Sequence, residues 1–427
     1  MKKIISSIIL LLTVFCVENL FAQTISIDGE IRPRMEYRDG YAKPLLSTNN
    51  AGAFTSQRTR LGFGYKSALL TTQITLQDAR IFGQYSSSST EASTSIYEAW
   101  AEMLFAPGAS LKIGRQCIKY DDNRMFSSPT WNLSGTAHDL ILFKYSINDY
   151  QAHIALAYNN NSEISSETYY TSDNKYRSLA YAWLTTPNYK GFTLSGMFVA
   201  EGVQDTTGVG TAYSKTDLKQ ALTFGGNLKF ENNETPFSGL ATAYFQAGKS
   251  STGKTMDGKL LALKACYAMN KAVSLNLGTD YISGDKNGTT DGIQSNFKKH
   301  YGANHNFNGY MDYWNSPLTQ GLLDYYASAT AKVNKVIDLE GAYHVFNAEY
   351  AGKNKKGIAF EKDLGSEMDL LLTYNMNKIT CIQAGYCCYF ANNNTLIAKD
   401  LVSSTTIPDS RFAQWGYIMI SFKPTFL

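Results

Sequence analysis

Residues 25–38 read ISIDGEIRPRMEYR. Taken in twos, one face carries Ile25, Ile27, Gly29, Ile31, Met35 and Tyr37; the other carries Ser26, Asp28, Glu30, Arg32, Arg34, Glu36 and Arg38. Successive side chains of a strand point to opposite sides of its sheet, so this alternation predicts a strand that is apolar on one side and charged on the other. A half-wet soluble sheet could show the same pattern, and the rest of the chain decides between the two environments.

The same period continues to the end of the chain. Thr59, Leu61, Phe63 and Tyr65 alternate with Arg58, Arg60, Gly62 and Gly64, and after a reversal at Ser67 the pattern resumes from Leu70. Eighteen strands are predicted, near residues 25–38, 57–66, 70–77, 95–105, 109–119, 138–146, 150–158, 176–184, 191–200, 219–230, 236–247, 257–268, 272–283, 321–332, 336–346, 363–373, 377–389 and 412–422. Short connections such as Ala106-Pro107-Gly108, Ile147-Asn148-Asp149, Met269-Asn270-Lys271 and Asn334-Lys335 alternate with loops that mostly exceed about a dozen residues. That asymmetry belongs to an all-β transmembrane barrel with tight periplasmic turns and long extracellular loops.

The N-terminus agrees. Lys2 and Lys3, an apolar run over residues 4–16 and Leu20-Phe21-Ala22 read as a secretory leader, giving a signal peptide over residues 1–22 and a barrel over residues 23–427. Beyond it no apolar run is long enough for a spanning helix, so the membrane can be crossed only by a closed barrel, whose backbone groups are all paired. The charged faces must line the lumen, because arginine on the lipid side near the midplane costs roughly 2–4 kcal/mol. The predicted lipid-facing set on the fourth strand is Tyr97, Ala99, Ala101, Met103 and Phe105. Pro33 removes a ladder donor and predicts a local bulge. The final strand is apolar at Gly416, Ile418, Ile420 and Phe422, with Phe426 on the same parity beyond it.

Composition excludes several functions. With 39 basic and 36 acidic side chains, and two lysines and one glutamate removed with the leader, the mature chain is nearly neutral and offers no electrostatic basis for nucleic-acid binding. Cys117, Cys266, Cys381, Cys387 and Cys388 lack the spacing of a zinc or redox motif and read as small apolar fillers. No metal site or cofactor is predicted. His305 and Asp312 have no companion nucleophile motif, so no enzymatic activity is expected.

The strongest chemical feature is the predicted lumen charge. Arg32, Arg34, Arg58 and Arg60 fall on neighbouring strands, with Asp28, Glu30, Glu36, Glu98 and Glu102 nearby. Arginines on one wall attract anions, and facing carboxylates orient a solute in a transverse field. The rival reading is a network of charges that only fills the lumen. The long segment over residues 284–320 carries His305 and Asp312 as constriction candidates, folded inward or closing the mouth as a lid.

Several stretches resemble the alginate-export family of outer-membrane barrels: Arg58-Thr59-Arg60-Leu61, Gln77-Asp78-Ala79-Arg80, Gly114-Arg115-Gln116 followed by Tyr120-Asp121-Asp122 and Arg124, and residues 301–312, YGANHNFNGYMD. The resemblance covers nearly the whole mature chain. It implies an eighteen-stranded barrel with an electropositive lumen passing anionic polysaccharide or smaller solutes, and it adds Arg115 and Arg124 to the candidate pathway. Two departures stand out. The family's exporter has a long periplasmic plug loop where the turn at residues 374–377 is short, and Arg115 shares parity with Leu111 and Ile113 on the lipid side unless a bulge turns it inward. Asp78 and Arg80 raise the same question.

The expected function is therefore a passive channel in the outer membrane of a Gram-negative cell. It lies in outer-membrane lipid, favours small anions and acidic saccharides, and leaves room for periplasmic partners that would set direction. A general diffusion porin and a closed structural or adhesin barrel are the alternatives.

Overall fold

The computed structural model describes residues 23–427 except 87–92, 129–130, 171–175, 207–216, 287–290, 317 and 405; the leader predicted over residues 1–22 lies outside the described residues. Eighteen strands close into one antiparallel barrel. They are β1 (Thr24–Asp39), β2 (Gly52–Lys66), β3 (Leu70–Ile81), β4 (Ser95–Ala106), β5 (Ala109–Gln116), β6 (His138–Ile147), β7 (Tyr150–Tyr158), β8 (Ser178–Thr185) and β9 (Phe192–Gln204) in the first half. The second half holds β10 (Leu218–Glu231), β11 (Phe237–Gly248), β12 (Lys259–Ala268), β13 (Val273–Ile282), β14 (Leu322–Lys332), β15 (Ile337–Asn347), β16 (Asp363–Asn375), β17 (Thr380–Phe390) and β18 (Ala413–Phe422). Each strand pairs with its sequence neighbours, and β18 returns to β1 through Ile31↔Phe422 and Arg34↔Met419 to Asp39↔Gln414.

The period-two pattern fixes which side faces lipid. On β1, Ile25, Ile31, Met35 and Tyr37 are exposed, whereas Glu30, Arg32, Arg34 and Glu36 are buried inside the barrel. At the short-turn end, outward aromatics pair across strands: Phe105 with Phe143, Phe192 with Phe230, and Phe237 with Tyr267. Rings at this level form one of the interfacial girdles of a membrane barrel. A hollow of ≈ 910 Å³ among Leu184, Leu194, Leu228 and Phe245 also lies on this apolar outer face. Past β18 the chain stays paired to the start of β1, through Gly29 N–H to Pro424 O (2.9 Å) and Phe426 N–H to Ile27 O (2.8 Å).

Three local expectations are corrected. Pro33 makes no bulge: β1 and β2 keep one register through Pro33↔Gln57, and the ladder to β18 skips Arg32 and Pro33 instead, so the missing donor falls at the closing seam. Tyr97 leaves the lipid face, because the β3–β4 register shifts there and turns Tyr97 and Glu98 to the same side. Tyr97 is buried, with the Arg60 guanidinium 3.5 Å from its ring. Finally, β2 starts at Gly52 and β5 stops at Gln116, where the chain turns into the lumen.

Among the described residues Cys117, Cys266, Cys381, Cys387 and Cys388 are all free. A short helix, α1 (Asn393–Ala398), sits in the last long loop under a capping box in which Thr395 N–H donates to Asn392 Oδ1 at 2.9 Å.

Candidate functional site: an occluded lumen with unlike walls

Described residues of two long loops reach into the lumen, 118–127 and 131–134 of the loop after β5 and 297–313 of the loop after β13. They meet as a short parallel pairing at Phe126 and Tyr301, with Tyr301 N–H to Met125 O (2.9 Å), Ser127 N–H to Tyr301 O (3.1 Å) and Ala303 N–H to Asn123 O (2.9 Å). Gly302 permits this approach, since a Cβ there would lie 2.2 Å from Arg124 O.

The arginine wall holds the first of these loops by its carbonyl oxygens. Arg32 donates to Asn132 O (3.0 Å), Arg34 to Trp131 O (2.8 Å), Arg58 to Asn132 O (3.0 Å) and Arg60 to Ser134 O (3.2 Å). The same arginines are balanced along the wall: Arg58 pairs with Glu30 and Arg34 with Glu36, both at 2.8 Å, and Glu36 also accepts from Trp415 Nε1 at 3.1 Å. The charges thus pair with each other and also grip a loop, and the second role is one that neither sequence reading named.

Carboxylates grip the second loop by its amides. Met311 N–H donates to Glu367 Oε1 (2.7 Å) and Tyr310 N–H to Asp369 Oδ2 (3.3 Å). Arg124 ties the two loops to the barrel, with its guanidinium bidentate on Asp280 of β13 (2.7 and 2.8 Å) and its Nε on Asp122 (2.9 Å). Burial, with Arg124 next, pushes the ammonium of Lys299 down to about 8.

Between the walls runs a crossbar of rings. The Arg34 guanidinium lies 3.7 Å from the Trp131 ring, Trp131 stacks on His305 (4.3 Å, 12°), His305 stacks on Tyr310 (5.4 Å, 28°), and Tyr310 OH donates to Glu340 Oε1 of β15 at 3.3 Å. Asp312 Oδ1 sits 2.9 Å from His305 Nδ1, and Asp312 accepts from the Tyr41 hydroxyl. Burial, and then the Asp312 carboxylate, hold the Tyr41 phenol well above its ordinary range. His305 thus sits between the rings of Trp131 and Tyr310, with Asp312 against its Nδ1 edge.

The crossbar separates two chambers. One, of ≈ 380 Å³, is lined by Arg32, Lys378 and Lys423 with a single acid, Glu30, and by Trp131, Tyr310 and Tyr417. The other, of ≈ 290 Å³, is lined by Asp122, Asp280, Asp324 and Glu340 against Arg124, Lys264 and His344, which pairs with Asp324 at 2.9 Å. The first is net basic with aromatic faces and the second net acidic. Among the described residues no group of three or more His, Cys, Asp or Glu is placed to hold a metal ion.

The remaining sequence candidates sit elsewhere. Glu98 Oε1 accepts from Cys117 N–H (3.0 Å) and Trp100 Nε1 (3.2 Å); Glu102 pairs with Lys144 at 2.9 Å; and Asp28 is exposed toward the short-turn end of β1. Arg115 is removed from the pathway. It shares the outer face with exposed Ile113 and pairs at 2.9 Å with Asp139, which shares that face with exposed Ile141 at the loop end of the barrel. Asp78 and Arg80 likewise pair with each other (2.7 Å) at the loop end of β3. Sequence reasoning missed Trp131, Tyr310, Glu340, Lys378 and Lys423. Trp131, a lone large ring in the polar run 127–135, and Tyr310, inside the family-like stretch 301–312, carried a usable signal.

Solved structures share this fold. OpdL of Pseudomonas aeruginosa superposes with a TM-score of 0.64 at 10% identity over 94% of this chain and 99% of that one. OpdK of the same organism, solved with vanillate, gives 0.59 at 11% identity over 94% and 99%, and OccAB4 of Acinetobacter baumannii gives 0.61 at 12% identity over 96% and 100%. A search of curated protein sequences finds no match. The alginate export family profile matches residues 24–405, which span the arginine wall, both inward loops and all but the last strand. This chain is an outer-membrane β-barrel channel protein and belongs to the alginate export family.

Proposed function

We propose that the protein is a passive channel that favours anionic solutes, with small acidic saccharides and related carboxylates as its substrate class. One observation carries the reading: the chamber beside the crossbar combines Arg32, Lys378 and Lys423 with the ring faces of Trp131, Tyr310 and Tyr417. Cations attract and orient a carboxylate, while flat rings pack against the apolar face of a sugar or an aromatic ring. OpdK, solved with vanillate, is a barrel of this fold crystallised with an aromatic carboxylate. Solutes small enough to pass beside the rings fit this arrangement, whereas a polysaccharide thread requires the two loops to move apart. The reading assigns no catalytic step.

Lys378 and Lys423 test it, because both are exposed and hold neither inward loop. In a planar bilayer under a salt gradient, the Lys378→Gln/Lys423→Gln protein should show a reversal potential shifted toward zero and weaker block by an acidic oligosaccharide. An unshifted potential with unchanged block would exclude this chamber as the anion route.

A further inference from the structure

The basic and acidic chambers are separated by one short stretch of chain. Asn306 and Tyr310 border both, and the ring of Tyr310 is the last member of the crossbar before the acidic wall, where its hydroxyl meets Glu340. Burial, then the neighbouring Glu340 carboxylate, hold the Tyr310 phenol well above its ordinary range, so it stays a neutral donor. Its ring therefore stands between the Glu340 carboxylate and any solute seated beside Arg32, while Asp324, farther along that wall, is fully buried against His344.

We infer that Tyr310 is a specificity-determining residue, a neutral septum that keeps the acidic wall from acting on the anion route. The inference rests on the proposed anion selectivity, and it adds the reason why the carboxylates of the acidic chamber do not act on the route beside Arg32, Lys378 and Lys423. Without the ring the two chambers join. Glu340 then loses its hydrogen-bond partner and faces the space where Arg32, Lys378 and Lys423 attract anions. A carboxylate newly exposed several ångströms from a permeating ion, in a largely aqueous space, changes its energy enough to shift relative permeability by roughly threefold or more.

The test uses the refolded full-length mature barrel in a planar bilayer with a potassium chloride gradient. Tyr310→Ala should lower the anion-to-cation permeability ratio by roughly threefold or more relative to the wild type, and raise unitary conductance. Tyr310→Phe keeps the ring and should stay near the wild-type ratio. Adding Glu340→Gln to Tyr310→Ala should restore most of the ratio, a rescue that mere loosening of the loops would not give. Tyr310→Leu, which keeps part of the volume, serves if the alanine variant fails to regain the heat-modifiable migration of a closed barrel, and it should give a smaller shift in the same direction. A Tyr310→Ala ratio equal to that of the wild type, or a shift that Glu340→Gln leaves unrescued, overturns the inference. The absolute ratio of the wild type tests the anion-channel reading, whereas the change on substitution tests the septum, so the two fail separately.

Discussion

Arg124→Met should release the inward loops. The Arg124 side chain contacts the first loop at Asp122, the barrel wall at Asp280 and the second loop at the Phe307 ring, 4.0 Å from its guanidinium carbon. The side chains of Arg124 and Asp280 are 8% and 2% exposed, so little solvent screening is available. Removing the cation strands two carboxylates, and breaking a buried pair from one side costs roughly 3–5 kcal/mol. At about 1.4 kcal/mol per tenfold, the displaced form of the loops should become between a hundredfold and a few thousandfold more populated. Hydrogen exchange reads this directly, because the amides of Tyr301 and Ala303 are protected only while the loops stay paired. Their protection should fall by that factor, while amides in the β1–β2 ladder keep theirs. Adding Asp280→Asn and Asp122→Asn should recover most of the protection, since a neutral set no longer strands charge. A loss below about tenfold, on the same scale, would refute the claim that this ion pair seats the loops.

Other consequences follow from the same contacts. Gly302→Ala places a Cβ against Arg124 O and should wedge the loops apart, seen as more frequent transitions to larger conductance levels. Lys299 sits at about 8 when its loop is seated, well below a free lysine. Between pH 8 and 10.5 the displaced loop therefore binds a proton that the seated loop has given up, so raising pH favours the seated form. Gating events should become rarer across that window, and Lys299→Met should flatten the dependence. Replacing Arg32, Arg34, Arg58 and Arg60 together by glutamine should reduce anion preference and also unsettle residues 131–134. Noisier openings with unchanged selectivity would mean that these arginines serve the loop alone. Arg115→Gln, on the outer face, should leave selectivity unchanged, and a changed reversal potential would contradict its placement.

The strands were legible because alternation over ten or more residues leaves little choice of register once one face must meet lipid. The lumen position of Arg32, Arg34, Arg58 and Arg60 followed from the same constraint. What those arginines do was not legible, because their partners are carbonyls of residues 131–134, up to 100 positions away in the chain. Trp131 and Tyr310 lie in long loops without periodicity, and only the fold brings them onto either side of His305. Tyr97 was misplaced for a smaller reason, a single register shift that no residue type announces. Arg115 was placed in the pathway by family resemblance and on the lipid side by parity, and parity prevailed.

The most direct test of the account is the reversal potential and single-channel conductance of the refolded mature protein in a planar bilayer under a salt gradient, with and without an acidic oligosaccharide. Anion-selective steps that the saccharide blocks are the predicted result. Large steps with no selectivity, or no conductance at all, would contradict a channel that passes anions along the basic side of its crossbar.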